Sequence, residues 1–366
     1  MLFSLFLLEE TDNRTSKDIP TLSCIPASLA IFAVRESLFL SRKGMIYVLF
    51  ILGFVLLIKG ADWLVDSASL LANRYGVSDM VVGLTIVSFG TSLPELTVNL
   101  MASFGGNTEI AVGNILGSNI ANVLLILGAS ALVANLTVKR PTVLTEIPFS
   151  LTAALLVGFF ANTNLFNPTE TSLIFDRKEG ISVMVFFFMF LIYIIDMARS
   201  DKNNLDVAEP LPNNTKPVFQ LSLIMLVGIM ALFLGGKWVV DGAVTIAANF
   251  GMSQSLIGLT IVAVGTSLPE LVTSVVASYR GKSDIAVGNV VGSNIFNLLW
   301  VLGLSATIRP LPFTANSNAD VLMIVFSSTL IILALVVSKK MVLTRVTGIF
   351  FLALYVVYTM YLIGRG

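Results

Sequence analysis

Gly83 to Glu95 reads GLTIVSFGTSLPE, and Gly258 to Glu270 reads GLTIVAVGTSLPE. Further on, Ala111 to Asn122 reads AVGNILGSNIAN, and Ala286 to Asn297 reads AVGNVVGSNIFN. The offset is 175 positions in both cases, without a gap. Roughly 28 of the 46 aligned positions between Gly83 and Gly128 are identical, which marks an internal duplication. Each copy lies in apolar sequence and holds one glutamate that a lipid-facing helix could not carry.

Composition sets the class. The chain has 366 residues, 56% hydrophobic and 12% charged. Soluble domains carry roughly 25% charged residues. Long apolar runs with short polar breaks predict a polytopic helical membrane protein; a β-barrel would show alternating segments of about ten residues. Formal net charge is zero, so nothing recommends nucleic acid as a partner. One cysteine, Cys24, forbids an internal disulfide. The absence of histidine removes the commonest transition-metal ligand and the usual general base.

From Met45 the hydropathy predicts ten spans, near 45–71, 79–104, 109–134, 142–161 and 180–198, then 218–248, 253–279, 284–307, 320–337 and 344–363. Residues 45–198 form a first five-helix repeat and 218–366 a second. Between them 199–217 (RSDKNNLDVAEPLPNNTKP) reads as a polar linker. An odd number of helices per half inverts the second repeat relative to the first. With the end before the first helix outside, Arg74, Lys139, Arg140, Arg199, Lys202, Lys216, Arg280, Lys282, Lys339, Lys340 and Arg345 fall inside; only Arg177, Lys178 and Arg309 fall in outside loops. Arg42 and Lys43 break the pattern. Residues 1–44 carry Glu9, Glu10, Asp12, Arg14 and Lys17, then a moderately apolar stretch, Ile25–Leu40, broken by Arg35 and Glu36. They read as a disordered or interfacial extension, and fit a signal peptide poorly.

Glu95 and Glu270 carry the chemistry. A carboxylate near the bilayer centre must be paired, hydrated or metal-bound. Each follows a Gly-Thr-Ser-Leu-Pro run, so the helices should kink or unwind near Gly90–Pro94 and Gly265–Pro269. Freed carbonyls, with Thr91, Ser92, Thr266 and Ser267, then become oxygen ligands. Two carboxylates with neutral oxygens suit Ca2+ better than the strongly hydrated Mg2+. The alternative is a pair of protonated glutamates that hydrogen-bond between helices. In the GNxxGSNI runs the glycines permit close packing. Packing does not explain Ser118, Asn119 and Asn122, or Ser293, Asn294 and Asn297. Ser118 and Asn122, and Ser293 and Asn297, are four apart, and each pair shares a helix face expected to turn toward the glutamates and supply neutral oxygens for Na+ or Ca2+. Asn114 and Asn289 are expected to cap or pack. Asp62, Asp66, Asp241, Glu109 and Asp284 are expected to be solvated or to cap helices. Trp63 and Trp238 should anchor at the interface, and Lys59 should snorkel.

The paired GTSLPE and GSNIxN motifs resemble the alpha repeats of the cation/calcium exchanger superfamily, and most of all those of prokaryotic Na+/Ca2+ exchangers. The resemblance extends from Met45 to the C-terminus. It implies ten helices, with a central site between the second, third, seventh and eighth. It implies that Glu95 and Glu270 bind Ca2+, with Thr91, Ser92, Thr266 and Ser267, the backbone carbonyls of Ser88 and Ala263, and Ser118, Ser293, Asn122 and Asn297. It implies that the long first and sixth helices slide to alternate access. In some relatives, K+-dependent exchangers among them, an aspartate matches Asn297. The asparagine here favours Na+ over K+ or H+ as the coupling ion. The expectation is therefore an antiporter of the prokaryotic inner membrane. Its transported ions are Ca2+ and Na+; no resident cofactor and no obligate protein partner is expected. Ca2+/H+ or K+-dependent exchange on the same scaffold, and a Ca2+ channel, are the alternatives. No HExxH motif and no Ser-His pair speaks for an enzyme.

Overall fold

In a computed structural model of the chain, residues 27–163, 173–203, 216–252, 263–338 and 340–365 are described. The chain divides into two compact units, Met1–Met45 and Ile46–Gly366. Of the first, residues 27–44 are helical, where the sequence suggested a disordered or interfacial extension; residues 1–26 lie outside the described set, as do 204–215 of the linker and 253–262 of the seventh expected span.

The described elements are α1 (Ala27–Tyr75), α2 (Asp79–Thr91), α3 (Leu93–Gly105), α4 (Thr108–Val133), α5 (Arg140–Ala161), α6 (Arg177–Asn203), α7 (Val218–Asn249), α8 (Ala263–Gly265), α9 (Leu268–Tyr279), α10 (Ser283–Ile308), α11 (Ala315–Val337) and α12 (Arg345–Arg365). Among the described residues, eight helices are long and apolar enough to cross a membrane; the bent pair α2–α3 makes a ninth. Left-handed glycines close the turns after α1 and α3, Gly76 (φ 67°) and Gly106 (φ 84°). Their counterparts 175 positions on, Gly251 and Gly281, do the same after α7 and α9.

Two short antiparallel ribbons tie the loops. Leu136–Thr137 (β1) pairs with Val342–Leu343 (β4), and Ile174–Phe175 (β2) pairs with Leu311–Pro312 (β3).

Two helices form the centre. The most apolar window of α10 is 94% buried and that of α4 is 72% buried, while the other long helices range from 17% to 39%. The outer helices keep an apolar face outward, as with Ile51, Val55 and Ile58 on α1, which suits a hydrocarbon surround. Small residues set the closest contacts. A Cβ on Gly292 of α10 would stand 2.7 Å from the Leu84 carbonyl oxygen and 2.7 Å from Ser88 Oγ on α2. Helices α1 and α7 approach most closely at paired glycines. A Cβ on Gly53 would stand 2.8 Å from the Gly235 carbonyl oxygen, and one on Gly60 would stand 2.8 Å from that of Gly228.

The acidic residues at the helix ends are more engaged than expected. Asp62 and Asp66 of α1 are not simply solvated: the Arg280 guanidinium holds both, with its contact to Asp62 at 2.6 Å. Asp284 pairs with Lys139 at 2.6 Å. Lys282 bonds Ser69 Oγ at 2.7 Å and Asp79 at 3.2 Å. The sequence missed these pairs because each joins segments far apart in the chain. In α11, Asp320 accepts both guanidinium branches of Arg365 at 2.7 Å and the Tyr358 hydroxyl at 2.8 Å. Asp320 is 6% exposed. Arg365→Met therefore strands a buried charge and should destabilise the fold by about 3 kcal/mol. Thermal unfolding in detergent checks this, and Asp320→Asn combined with Arg365→Met should recover most of the loss.

Candidate functional site

The two motif breaks have the same local form. Ser92 (φ −83°, ψ 10°) separates α2 from α3, and Ser267 (φ −87°, ψ 8°) precedes α9. Both lie in the sparsely populated bridge region that active-site residues often adopt. The prolines impose it. Pro94 and Pro269 have no N–H for the carbonyls four residues back, Gly90 and Gly265, and each sits in the first turn of the next helix, where proline is tolerated. The axes of α2 and α3 bend by 46°.

The carbonyl of Ser88 is not released by the break; it accepts the Ser92 N–H at 3.0 Å. The Thr91 hydroxyl also lies within bonding distance of this carbonyl, at 3.3 Å. Ala263 opens α8, and its side chain is outside the described set.

The breaks bring the glutamates together with the hydroxyls of the opposite repeat. Ser92 Oγ donates to Glu270 Oε1 at 2.9 Å, and Ser267 Oγ donates to Glu95 Oε1 at 3.2 Å. Glu95 is fully buried and Glu270 is 1% exposed. The Oε2 atom of each has no hydrogen-bond partner. Ser118 Oγ, Ser293 Oγ, Asn122 Oδ1 and both amide atoms of Asn297 are likewise buried and unpartnered. Buried polar groups are normally satisfied, so these bare atoms, like the free oxygen of each glutamate, call for a partner. Among the described residues no group of three or more Asp, Glu, His or Cys could hold a metal. The site thus offers two carboxylates and neutral oxygens, a hard-cation set.

Two asparagines orient the threonines. Thr91 Oγ1 donates to Asn289 Oδ1 at 3.0 Å, and Thr266 Oγ1 donates to Asn114 Oδ1 at 3.4 Å. In each case the amide oxygen is the acceptor for the hydroxyl proton. So Asn114 and Asn289 do more than cap or pack. They are held in turn by residues the sequence reading passed over. Asn114 Nδ2 donates to Asn99 Oδ1 at 2.7 Å, and Asn289 Nδ2 donates to Ser274 Oγ at 2.9 Å. A signal existed: Asn99 and Ser274 each follow a motif glutamate by four positions and lie 175 apart.

The helices beneath are also modified at the site. The backbone widens to π-helix at Asn122–Leu127 and at Phe296–Val301, beginning at or beside Asn122 and Asn297. Such widened turns often mark functional positions. A third lies at Gly83–Val87.

A family model described as sodium/calcium exchanger protein matches residues 45–195 and 221–364. The chain belongs to the sodium/calcium exchanger family. It is 32% identical over 343 residues to sodium/calcium exchanger MaX1 of Methanosarcina acetivorans, covering 85% of this chain and 97% of that protein. It is 39% identical over 269 residues to inner membrane protein YrbG of Escherichia coli, covering 72% and 79%. A solved structure of the sodium-calcium exchanger NCX_Mj, soaked with Na+ and Sr2+, superposes with a TM-score of 0.71 at 30% identity, covering 86% of this chain and 98% of that one. This exchanger is an integral membrane cation/Ca2+ transporter, not an enzyme.

Proposed function

We propose that the exchanger moves Ca2+ against Na+ by alternating access, at a site made of Glu95 and Glu270 with Thr91, Ser92, Thr266, Ser267, Ser118, Ser293, Asn122, Asn297 and the carbonyls of Ser88 and Ala263. The observation that carries this reading is the pair of buried glutamates, each tied by one oxygen to a serine of the other repeat and bare at the second. Two negative charges balance one Ca2+. The same oxygens, with the neutral amides, suit Na+ as the competing ion. Asn122 and Asn297 carry no third carboxylate, which favours Na+ over H+ or K+.

The architecture of this reading is ten spans in two inverted five-helix repeats, 45–198 and 218–366, joined by 199–217. The ribbons support the inversion. Leu136 and Leu311 are equivalent, yet β1 joins β4 at one end of α5 and β3 joins β2 at the other. The exchanger would reside in a prokaryotic inner membrane, with the bilayer and its ions as partners and no resident cofactor.

The test is radiolabelled Ca2+ uptake into proteoliposomes loaded with Na+ and diluted into Na+-free buffer, with K+-loaded and pH-gradient controls. Uptake is expected only with the outward Na+ gradient. Uptake driven by the pH gradient alone would replace Na+ by H+. Ca2+ movement without any counter-ion would indicate a channel.

A further inference from the structure

Four buried asparagines lie where α4 and α10 cross, and they break the two-fold correspondence. By the 175-residue offset, Asn122 matches Asn297 and Asn119 matches Asn294. Asn122 Nδ2 donates to Asn294 Oδ1 at 2.9 Å, from one repeat to the other. The matching bond would run from Asn297 Nδ2 to Asn119 Oδ1. Both of those atoms are buried and have no partner. Asn119 Nδ2 donates to the Ile115 carbonyl at 2.7 Å, which leaves Oδ1 as the acceptor without a partner.

An asparagine is a good cation ligand only when its oxygen faces the ion. Its NH2 group must then have an acceptor on the far side, or the amide can turn a positive edge toward the cation. For Asn122 that acceptor is Asn294. We propose that Asn119 is the corresponding positioning residue for Asn297, and that the Asn297–Asn119 bond closes when the site is loaded. One clamp is shut in this structure and the other open. The proposal rests on the cation site described above. It adds two residues, Asn119 and Asn294, that touch no ion but decide which face of a ligand amide does.

A positioning role for Asn119 carries a signature that a merely structural role would not. An aspartate at position 297 has an oxygen on either side and needs no such acceptor. Half-saturating Na+ and Ca2+ are measured in proteoliposome exchange for wild type, Asn119→Ala, Asn297→Asp and the double variant. Asn119→Ala should raise half-saturating Na+ roughly five-fold, the worth of one neutral hydrogen bond. In the Asn297→Asp background the same change should stay within about two-fold. Equal effects in both backgrounds, or none in either, would overturn the proposal. If Asn119→Ala does not fold, Asn119→Ser enters the same cycle. Wild-type uptake that ignores Na+ would overturn the exchange reading instead. The cycle is then read on half-saturating Ca2+, where the same background dependence is expected.

Discussion

Glu95→Gln and Glu270→Gln should each reduce Ca2+ flux at least about 100-fold. Ca2+ takes its oxygens at about 2.3–2.6 Å, and within a low-dielectric centre one lost unit charge at that range is worth several kcal/mol. Glutamine keeps the shape. Its carbonyl oxygen can still accept from Ser267 or Ser92, the partners seen for Glu95 and Glu270. Removing a buried charge also relieves a desolvation cost, so thermal stability without Ca2+ should hold or rise. The combination separates binding from folding: flux falls while the melting temperature does not. Added Ca2+ should stabilise wild type and leave the variants unmoved. Robust Ca2+ transport by either variant would remove the carboxylate pair from the mechanism.

Gly292→Val is the second large effect. Its new Cβ would press on the Leu84 carbonyl oxygen, on Leu84 Cα at 2.8 Å and on Ser88 Oγ. Ser88 bonds back to Leu84 and holds the Ser92 N–H through its own carbonyl, so displacement is passed along α2 to the break itself. Overpacking alone costs about 1–3 kcal/mol. Here it also moves Ser92, a partner of Glu270. The expected result is loss of exchange by more than about ten-fold and a lower melting temperature. Gly117→Val is a useful comparison, because a Cβ there meets nothing within 4 Å among the described residues. It should keep substantial activity; equal damage at both glycines would argue against the contact as the cause.

Much of this was readable before any fold was known. The duplication, the helical class and the two glutamates follow from residues close in sequence. So does the break at Ser92, because proline's missing N–H acts locally. What escaped reading depends on partners far away in the chain. Thr91 meets Asn289 across 198 positions, and Arg280 meets Asp62 across 218. Nothing in a local pattern says that Asn289 turns toward a threonine rather than into packing. The π-helical turns at Asn122 and Phe296 have no sequence mark that the reading could use.

The glycine seam between α1 and α7 bears on why exchange need not become leakage. The two backbones come together at Gly53 with Gly235 and at Gly60 with Gly228, and Leu56, Ala231 and Val239 pack tightly around these points, so the joint has little slack. Two gates built on separate hinges could stand open together. Two gates carried on one stiff bar cannot: lifting one end lowers the other. In an alternating-access cycle the seam makes the two long helices a single moving part with a single degree of freedom, and a passage open at both ends would first have to split it.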